Sequence, residues 1–203
     1  MSEAQFILDH AERLLTVATR CAWSFGAADG LNDLLSAPPK PEDVWRHQVS
    51  VLQRDAMLMS VIRVETMLDS EQTAVSFQTV YHRLKEPDVQ AALLAAIETR
   101  RGEDVFEERS AHIAEYLEIY RSIDWGMVGR LKHLRNLDVA HLRIQPRTKS
   151  IDMKELQCMV AIVSRLAEAL QALLQTDIPF HAHIVAESRE DVKRALASEF
   201  PHQ

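Results

Sequence analysis

Apolar residues recur every three or four positions along most of the chain, which is the spacing of one face of an α-helix. The first such segment follows Ser2, a favourable N-cap residue, and is expected to end at Gly26 and Gly30. Further helices are predicted at residues 42–69, 76–85, 87–101, 103–122, 124–142, 152–175 and 188–200, with an extended stretch at 178–185. Because β-branched runs are rare and Ala, Leu, Glu, Gln and Arg are frequent, the pattern predicts an all-α protein.

The segment 42–69 carries apolar residues on two sides. One line contains Trp45, Val49, Leu52, Ala56 and Met59, and the other contains Met57, Val61, Val64 and Leu68. A helix that is apolar on several sides is predicted to lie centrally in the core. Arg63 falls on the first line, where a charge requires a partner or a solvent-filled cleft. The alternative is that its side chain extends from near the helix end into bulk water.

The segment 152–175 also has two apolar lines. The first contains Leu156, Val160, Val163, Ala167, Leu170 and Leu174, and the second contains Met159, Ile162, Leu166, Ala169 and Leu173. Two such faces indicate that one packs in the core and the other on a partner chain, as in a homodimer. Deep burial of both faces is the alternative.

Composition agrees with a helical globular protein. The chain has 203 residues, of which 47% are apolar and 26% charged, with only five glycines and seven prolines. These values exclude collagenous, repetitive and disordered chains and predict a single domain. We expect a helical bundle over residues 1–175, with residues 176–203 as an extension packed on the same domain.

Cysteine content and hydropathy limit the compartment and the cofactors. Two cysteines, Cys21 and Cys158, exclude a disulfide framework or a cysteine zinc site and fit the reducing cytoplasm. Neither a secretion signal nor a membrane span is expected, because no apolar stretch reaches about 18 residues. His181, His183 and the nearby His202 are candidate metal ligands that a surface segment explains equally well, so we expect no metal or cofactor.

Basic residues are concentrated in one segment, although the net charge of the chain is −7. Residues 130–149 contain six basic side chains and a single acid, Asp138, and the basic residues are Arg130, Lys132, Arg135, Arg143, Arg147 and Lys149. Such a segment attracts an anionic ligand such as a nucleic-acid backbone. The alternative is a solvated basic face that is paired with acidic helices.

Within this segment the order Arg135-Asn136-Leu137-Asp138-Val139-Ala140-His141 resembles the motif of the HEPN superfamily, which has Arg, a polar residue and a His a few positions later. The long second helix, with Arg63 and Asp69 before Ser76-Phe77, and the run Ala140-His141-Leu142 are similar to the abortive-infection U-type branch. The resemblance covers most of residues 1–175. It implies a HEPN-like bundle of long antiparallel helices that forms a homodimer.

The resemblance also implies a metal-independent endoribonuclease, such as the toxin of a defence or toxin–antitoxin system. In that chemistry the RNA 2′-hydroxyl attacks the neighbouring phosphate, and His141 acts as general base or acid. Arg135 stabilises the charge on the phosphorane, and Asn136 orients groups. Asp138 would hold the side chains of Arg135 and His141, and Arg63 would add positive charge if it reaches the cleft.

The spacing of the motif residues and the neighbours of His141 both bear on this mechanism. Arg135, Asp138 and His141 form a ridge about 9 Å long, so one phosphate needs a second copy to meet both end groups. His141 also aligns with Leu134 and Leu137, as a packed helix histidine would. The acidic net charge and the two apolar faces of segment 152–175 favour an alternative function, a helical dimer that binds RNA, or a protein partner such as an antitoxin or a nucleotidyltransferase, without cleavage.

Overall fold

The computed structural model describes residues 2–36, 38, 44–71, 73–101, 106–136, 151–174 and 181–199. All regular secondary structure in these ranges is helical, which confirms the all-α prediction. The eight helices in these ranges are α1 (Glu3–Ser36), α2 (Arg46–Met67), α3 (Phe77–Leu84), α4 (Pro87–Arg101), α5 (Phe106–Arg121), α6 (Trp125–Arg135), α7 (Met153–Leu174) and α8 (His181–Glu199).

Several helix starts agree with the sequence because local side chains determine them. The Ser76 hydroxyl accepts a hydrogen bond from the Thr79 amide at the start of α3. Asp152 and Glu155 form a reciprocal pair at the start of α7, in which each carboxylate accepts from the other residue's amide. Pro87 begins α4, where its missing N–H costs no helical hydrogen bond.

The predicted end of the first helix at Gly26 and Gly30 is wrong, because α1 continues to Ser36. Both glycines lie where α8 packs closely on α1. A Cβ at Gly26 would lie 2.3 Å from the Val185 carbonyl oxygen, and one at Gly30 would lie 2.7 Å from that of Arg189. The two glycines therefore allow two helix backbones to approach, and they do not terminate the helix.

Helix α8 replaces the extended stretch that was predicted at 178–185, since residues 181–185 are already helical. It packs along α1 through polar as well as apolar contacts. The Ser188 hydroxyl donates to the Trp23 carbonyl at 2.7 Å. The Asp33 carboxylate forms ion pairs with Arg189 Nη2 at 2.6 Å and with Lys193 Nζ at 2.7 Å. Hydrogen bonds from Lys193 and Arg189 lower the pKa of the Asp33 carboxyl. Two carboxylate contacts thus fix α8 on the bundle.

Helix α7 is the centre of the core. It contacts α1, α2, α5 and α8, and both of its apolar lines are largely buried within the same chain. The expectation that one face meets a partner chain is wrong, and the alternative of deep burial is correct. By length and composition α7 is able to cross a membrane, a property that a buried core helix shares.

The central position predicted for the helix at 42–69 is also wrong. The second apolar line of α2 is mostly buried, with Val61, Val64 and Leu68 at most 4% exposed. The first line is only partly covered: Val49 is buried, whereas Leu52 is 51% exposed and Met59 41% exposed. Helix α2 therefore packs antiparallel to α1 on one side and leaves an apolar face uncovered on the other.

Candidate nucleic-acid interface

Helix α6 carries the first part of the basic segment. Asp124 caps its start, because the carboxylate accepts from the amides of Gly126 at 2.8 Å and Met127 at 3.2 Å. Positions Trp125, Val128, Gly129 and Lys132 follow the helical repeat and share one face, with Arg135 and Asn136 one turn later. The end of this face is where the motif residues lie.

The guanidinium of Arg135 is held on two sides. Its Nη1 forms an ion pair with Glu65 Oε2 on α2, and its Nε and Nη2 lie 3.3 and 3.1 Å from the amide oxygen of Asn136. The Arg135 side chain remains 32% exposed, whereas that of Glu65 is only 4% exposed. Arg135 is therefore oriented by a buried carboxylate and still accessible to a ligand.

Burial raises the pKa of Glu65, and the positive charge of Arg135 opposes this effect. The nearby negative charge of Asp69 adds to the rise. A carboxylate removed from water in this way costs free energy unless a cation stays beside it. The Glu65–Arg135 pair is therefore a coupled unit, in which the loss of Arg135 would leave a buried acid.

A cleft of about 290 Å³ lies between α6 and the turn that joins α2 to α3. The α6 wall contains Trp125, Gly129 and Lys132, and the opposite wall contains Glu65 and Asp69. Trp125 is 43% exposed, and its ring centre lies 5.5 Å from that of Tyr120. The cleft thus combines an exposed aromatic ring, a cation and two carboxylates beside the motif arginine.

Arg63 does not join this cleft. Its Nη1 donates to the Arg20 carbonyl at 2.9 Å and to the Ser24 hydroxyl, and both acceptors belong to α1. Positions 63 and 65 are about 200° apart around α2, so Arg63 and Glu65 are on opposite sides. The carbonyl and the hydroxyl of α1 are thus the partners of the Arg63 guanidinium, which packs against α1 and does not line the cleft.

Arg130 and Lys132 differ in their surroundings. Arg130 Nη2 lies 2.5 Å from Glu155 Oε1 on α7, so an internal acid already neutralises part of its charge. Lys132 is exposed on the cleft wall. The basic face is therefore partly paired with acidic residues, as in the alternative of a solvated face paired with acidic helices, and partly open to a ligand.

The remaining motif and basic residues lie outside the described ranges: Asp138, His141, Arg143, Arg147 and Lys149. His202 also lies outside them. His183 Nε2 lies 3.3 Å from Glu187 Oε1 on α8. Within the described ranges, no group of three or more metal-ligating side chains is found.

Glu65 and Trp125 were not identified from the sequence. A signal for Glu65 exists, because it lies one turn after Val61 and three residues before Leu68, on a buried apolar line. An acid at such a position requires a cation. Trp125 gives no comparable signal, since the opposite wall of the cleft comes from residues 65–70 and Gln78, which are 47 or more positions away in sequence.

Chemically, this site can hold a phosphate on Arg135 and Lys132 and a flat, apolar ring on Trp125. It supplies no metal-ligating cluster from the described residues. No family model, curated protein or solved structure matches this chain.

Proposed function

We propose that the protein is a metal-independent endoribonuclease of the HEPN type, and that it acts as the toxin of a defence or toxin–antitoxin system. The observation that carries this proposal is the Arg135 guanidinium, which Glu65 and Asn136 orient beside an open cleft. A preorganised cation is what a phosphorane requires, because it needs no rearrangement when negative charge develops. Glu65 acts here as a positioning residue.

The reaction is an internal transesterification. A base removes the proton of the 2′-hydroxyl, the 2′-oxygen forms a bond to phosphorus, and the bond from phosphorus to the 5′-oxygen breaks. The departing 5′-oxygen takes up a proton, so the products are a 2′,3′-cyclic phosphate and a 5′-hydroxyl. His141 is proposed to move these protons, since an imidazole titrates near neutral pH.

Substrate binding is assigned to the open part of the basic segment. Lys132 lies exposed on the wall of the cleft, and Arg143, Arg147 and Lys149 follow in the sequence. Each phosphate contact releases counterions, so binding should weaken steeply as salt is added. Arg130 is expected to contribute less, because Glu155 already pairs with it.

The test is cleavage of labelled single-stranded RNA by the purified protein in the presence of EDTA. His141→Ala should lose about 10² to 10⁴ of the rate, which is the usual contribution of general acid–base catalysis. Arg135→Ala should lose about 10² to 10³, as when one charge-stabilising donor is removed. DNA of the same sequence should remain intact, because it has no 2′-hydroxyl.

Two matched variants serve as controls. Arg121→Ala removes an exposed arginine from the end of α5, and His183→Ala removes a histidine whose side chain is 76% exposed. Both should cleave like the wild type. The proposal fails if Arg135→Ala and His141→Ala cleave RNA as fast as these controls, or if EDTA abolishes the activity.

A second candidate function is supported by the uncovered face of α2. Val51, Leu52 and Met59 are 40%, 51% and 41% exposed, and Arg54 and Asp55 are exposed among them. We propose that a second copy of the chain covers this face, because a two-fold axis can place Arg54 of one copy against Asp55 of the other. In this second candidate function, the helical dimer binds RNA or a protein partner without cleavage.

Sedimentation equilibrium at micromolar concentration tests the dimer that both candidate functions require. A mass of about twice 23.1 kDa is expected. A monomer would remove the second candidate function and also the composite site in which two copies share one cleft. A dimer that binds RNA without cutting it would favour the second candidate over the first.

A further inference from the structure

Gly129 is an unusual residue for its place in the fold. It lies inside α6 on the wall of the cleft, and a Cβ built there would meet nothing within 4 Å. Glycine in an exposed helix interior is less stable than alanine. Because packing within the chain does not explain this glycine, a ligand that needs the space beside the helix backbone is the natural reason for it.

The walls of the cleft define the chemistry of that ligand. Trp125, one turn before Gly129, offers an exposed ring on which a flat group can stack. The opposite wall carries Glu65 and Asp69, which repel phosphate and accept hydrogen bonds. An aromatic ring with N–H donors on its edge fits both walls, and its phosphates would lie on the Lys132 side.

Asp69 is the carboxylate best placed to accept from such an edge. It is half-buried, and its Oδ1 accepts from the Glu71 amide at 3.1 Å. The Ser76 hydroxyl donates to the Asp69 carbonyl at 2.8 Å, which fixes the turn. Among the described residues, no hydrogen bond reaches Oδ2 of Asp69, whereas Glu65 already holds Arg135.

We propose that this cleft binds one unpaired guanine of a single-stranded RNA. Guanine presents two neighbouring donors, N1–H and N2–H, which match the two oxygens of a carboxylate. Adenine and cytosine place a ring acceptor beside their amino donor, and uracil has one donor between two acceptors. Each of these bases would direct an acceptor at the carboxylate of Asp69, so the cleft should reject them.

The phosphates that flank this guanine would follow α6. Lys132 lies about 5 Å and Arg135 about 9 Å beyond Gly129 along the helix axis, from the rise of 1.5 Å per residue. The base would therefore be held next to the phosphate that Arg135 contacts. This assignment rests on the proposed function for its choice of RNA, and it adds the base that is preferred beside the cut.

The experiment measures binding without cleavage. A labelled 2′-O-methyl hexanucleotide with one guanine in a uridine background cannot undergo the internal attack, and its affinity is obtained from fluorescence anisotropy. Wild-type protein should bind this hexamer about tenfold or more tightly than the hexamers in which adenine, cytosine or inosine replaces guanine. Inosine is the sharpest comparison, because it lacks only the N2 amino group.

Three variants locate the base. Trp125→Ala should weaken binding of the guanine hexamer about tenfold through lost stacking, and Trp23→Ala, at an exposed tryptophan of α1, should not. Gly129→Leu should block the cleft while it favours the helix, so weaker binding cannot be attributed to unfolding. Asp69→Asn should abolish the preference for guanine over adenine, because the amide N–H opposes one guanine donor and matches the ring acceptor of adenine.

Several outcomes would overturn the assignment. Equal binding of all hexamers by the wild type excludes a guanine site, and unchanged binding by Gly129→Leu places the base elsewhere. Free guanosine monophosphate that binds as tightly as the hexamer would assign the cleft to a small nucleotide and not to RNA. The cleavage assay is separate: guanine-selective binding without cleavage defeats only the nuclease, and unselective cleavage defeats only the guanine site.

Discussion

Helices α2 and α7 have the same length and a similar pattern, but opposite positions in the fold. Each has 22 residues and two apolar lines. In α7 both lines are largely buried, and Leu166 and Leu170 are fully inaccessible. In α2 one line is buried from Val61 onward, whereas Leu52 and Met59 are about half exposed.

This difference shows what helical periodicity can and cannot predict. The pattern gives the number of apolar faces on a helix, but it does not say how many neighbours will cover them. The distribution of charge carries additional information. Residues 156–164 of α7 contain no charged side chain, whereas the first ten residues of α2 include Arg46, Arg54 and Asp55. A helix that is covered on most sides has few positions for such charges.

The largest expected effect compares a matched pair of leucines. Leu170→Ala on α7 should lower the free energy of unfolding by about 2–5 kcal/mol, because it removes buried methyl groups and leaves a cavity. Leu52→Ala on α2 should lower it by no more than about 0.5 kcal/mol, since half of that side chain is already in water. Urea unfolding of both variants measures the two values.

Equal losses for the two leucines would contradict the burial difference between the helices. A larger loss for Leu52→Ala is compatible with the structure only if it depends on protein concentration. In that case a second copy of the chain covers the α2 face, and the lost free energy belongs to association.

Local signals explain most of the fold that was predictable from the sequence. Ser76, Pro87, Asp124 and Asp152 were each identified at the start of a helix, because a cap acts within one turn. Gly26 has no such local role. Its neighbour is the Val185 backbone, 159 positions later, so local sequence cannot distinguish this close contact from a helix end.

The candidate site also contains residues that a local motif predicts and residues that only long-range packing brings in. Arg135 and Asn136 were found because they are adjacent in a short motif, and the structure shows them in contact. Among the described residues, Glu65 holds Arg135 together with Asn136 and lies 70 positions earlier in the chain. Asp138, for which a similar role is expected, lies outside the described ranges. Long-range pairs of this kind require the packing of α2 against α6, which periodicity does not supply.

The second prediction tests whether the uncovered face of α2 is an interface. Leu52→Glu should place a charge at the centre of that face and weaken the dimer about 30-fold or more, as expected for a residue in the middle of an interface. Helical circular dichroism should stay unchanged, because Leu52 is not part of the core. Sedimentation velocity over a dilution series gives the dissociation constant.

Ala114→Glu is the control for this substitution, since it adds the same charge at an exposed position on α5. It should leave the dimer intact. If Leu52→Glu and Ala114→Glu sediment alike as dimers, then the second copy lies on another surface, and the α2 face has no role in association.

The smallest expected effect concerns Glu65, a charged residue of α2 that is itself buried. Its pKa is raised above 4.5 in the folded protein, because burial disfavours the carboxylate more than Arg135 favours it. The stability that this group contributes is therefore fully present below about pH 4.5 and is lost as the pH rises through the folded-state pKa. Glu65→Gln keeps an acceptor for Arg135 and removes the titration.

Urea unfolding between pH 4 and pH 8 should thus show that the wild type loses stability relative to Glu65→Gln as the pH rises, by less than the loss caused by Leu170→Ala. Glu118→Gln, at an exposed position of α5, should run parallel to the wild type. If the free energy of unfolding of Glu65→Gln also changes with pH in parallel with the wild type, the Glu65 carboxylate titrates as it does in water. The buried half of α2 would then not exclude water as the core around α7 does. A divergence confined to Glu65→Gln would show that the buried end of α2 behaves as core and that its one acid is retained there for Arg135.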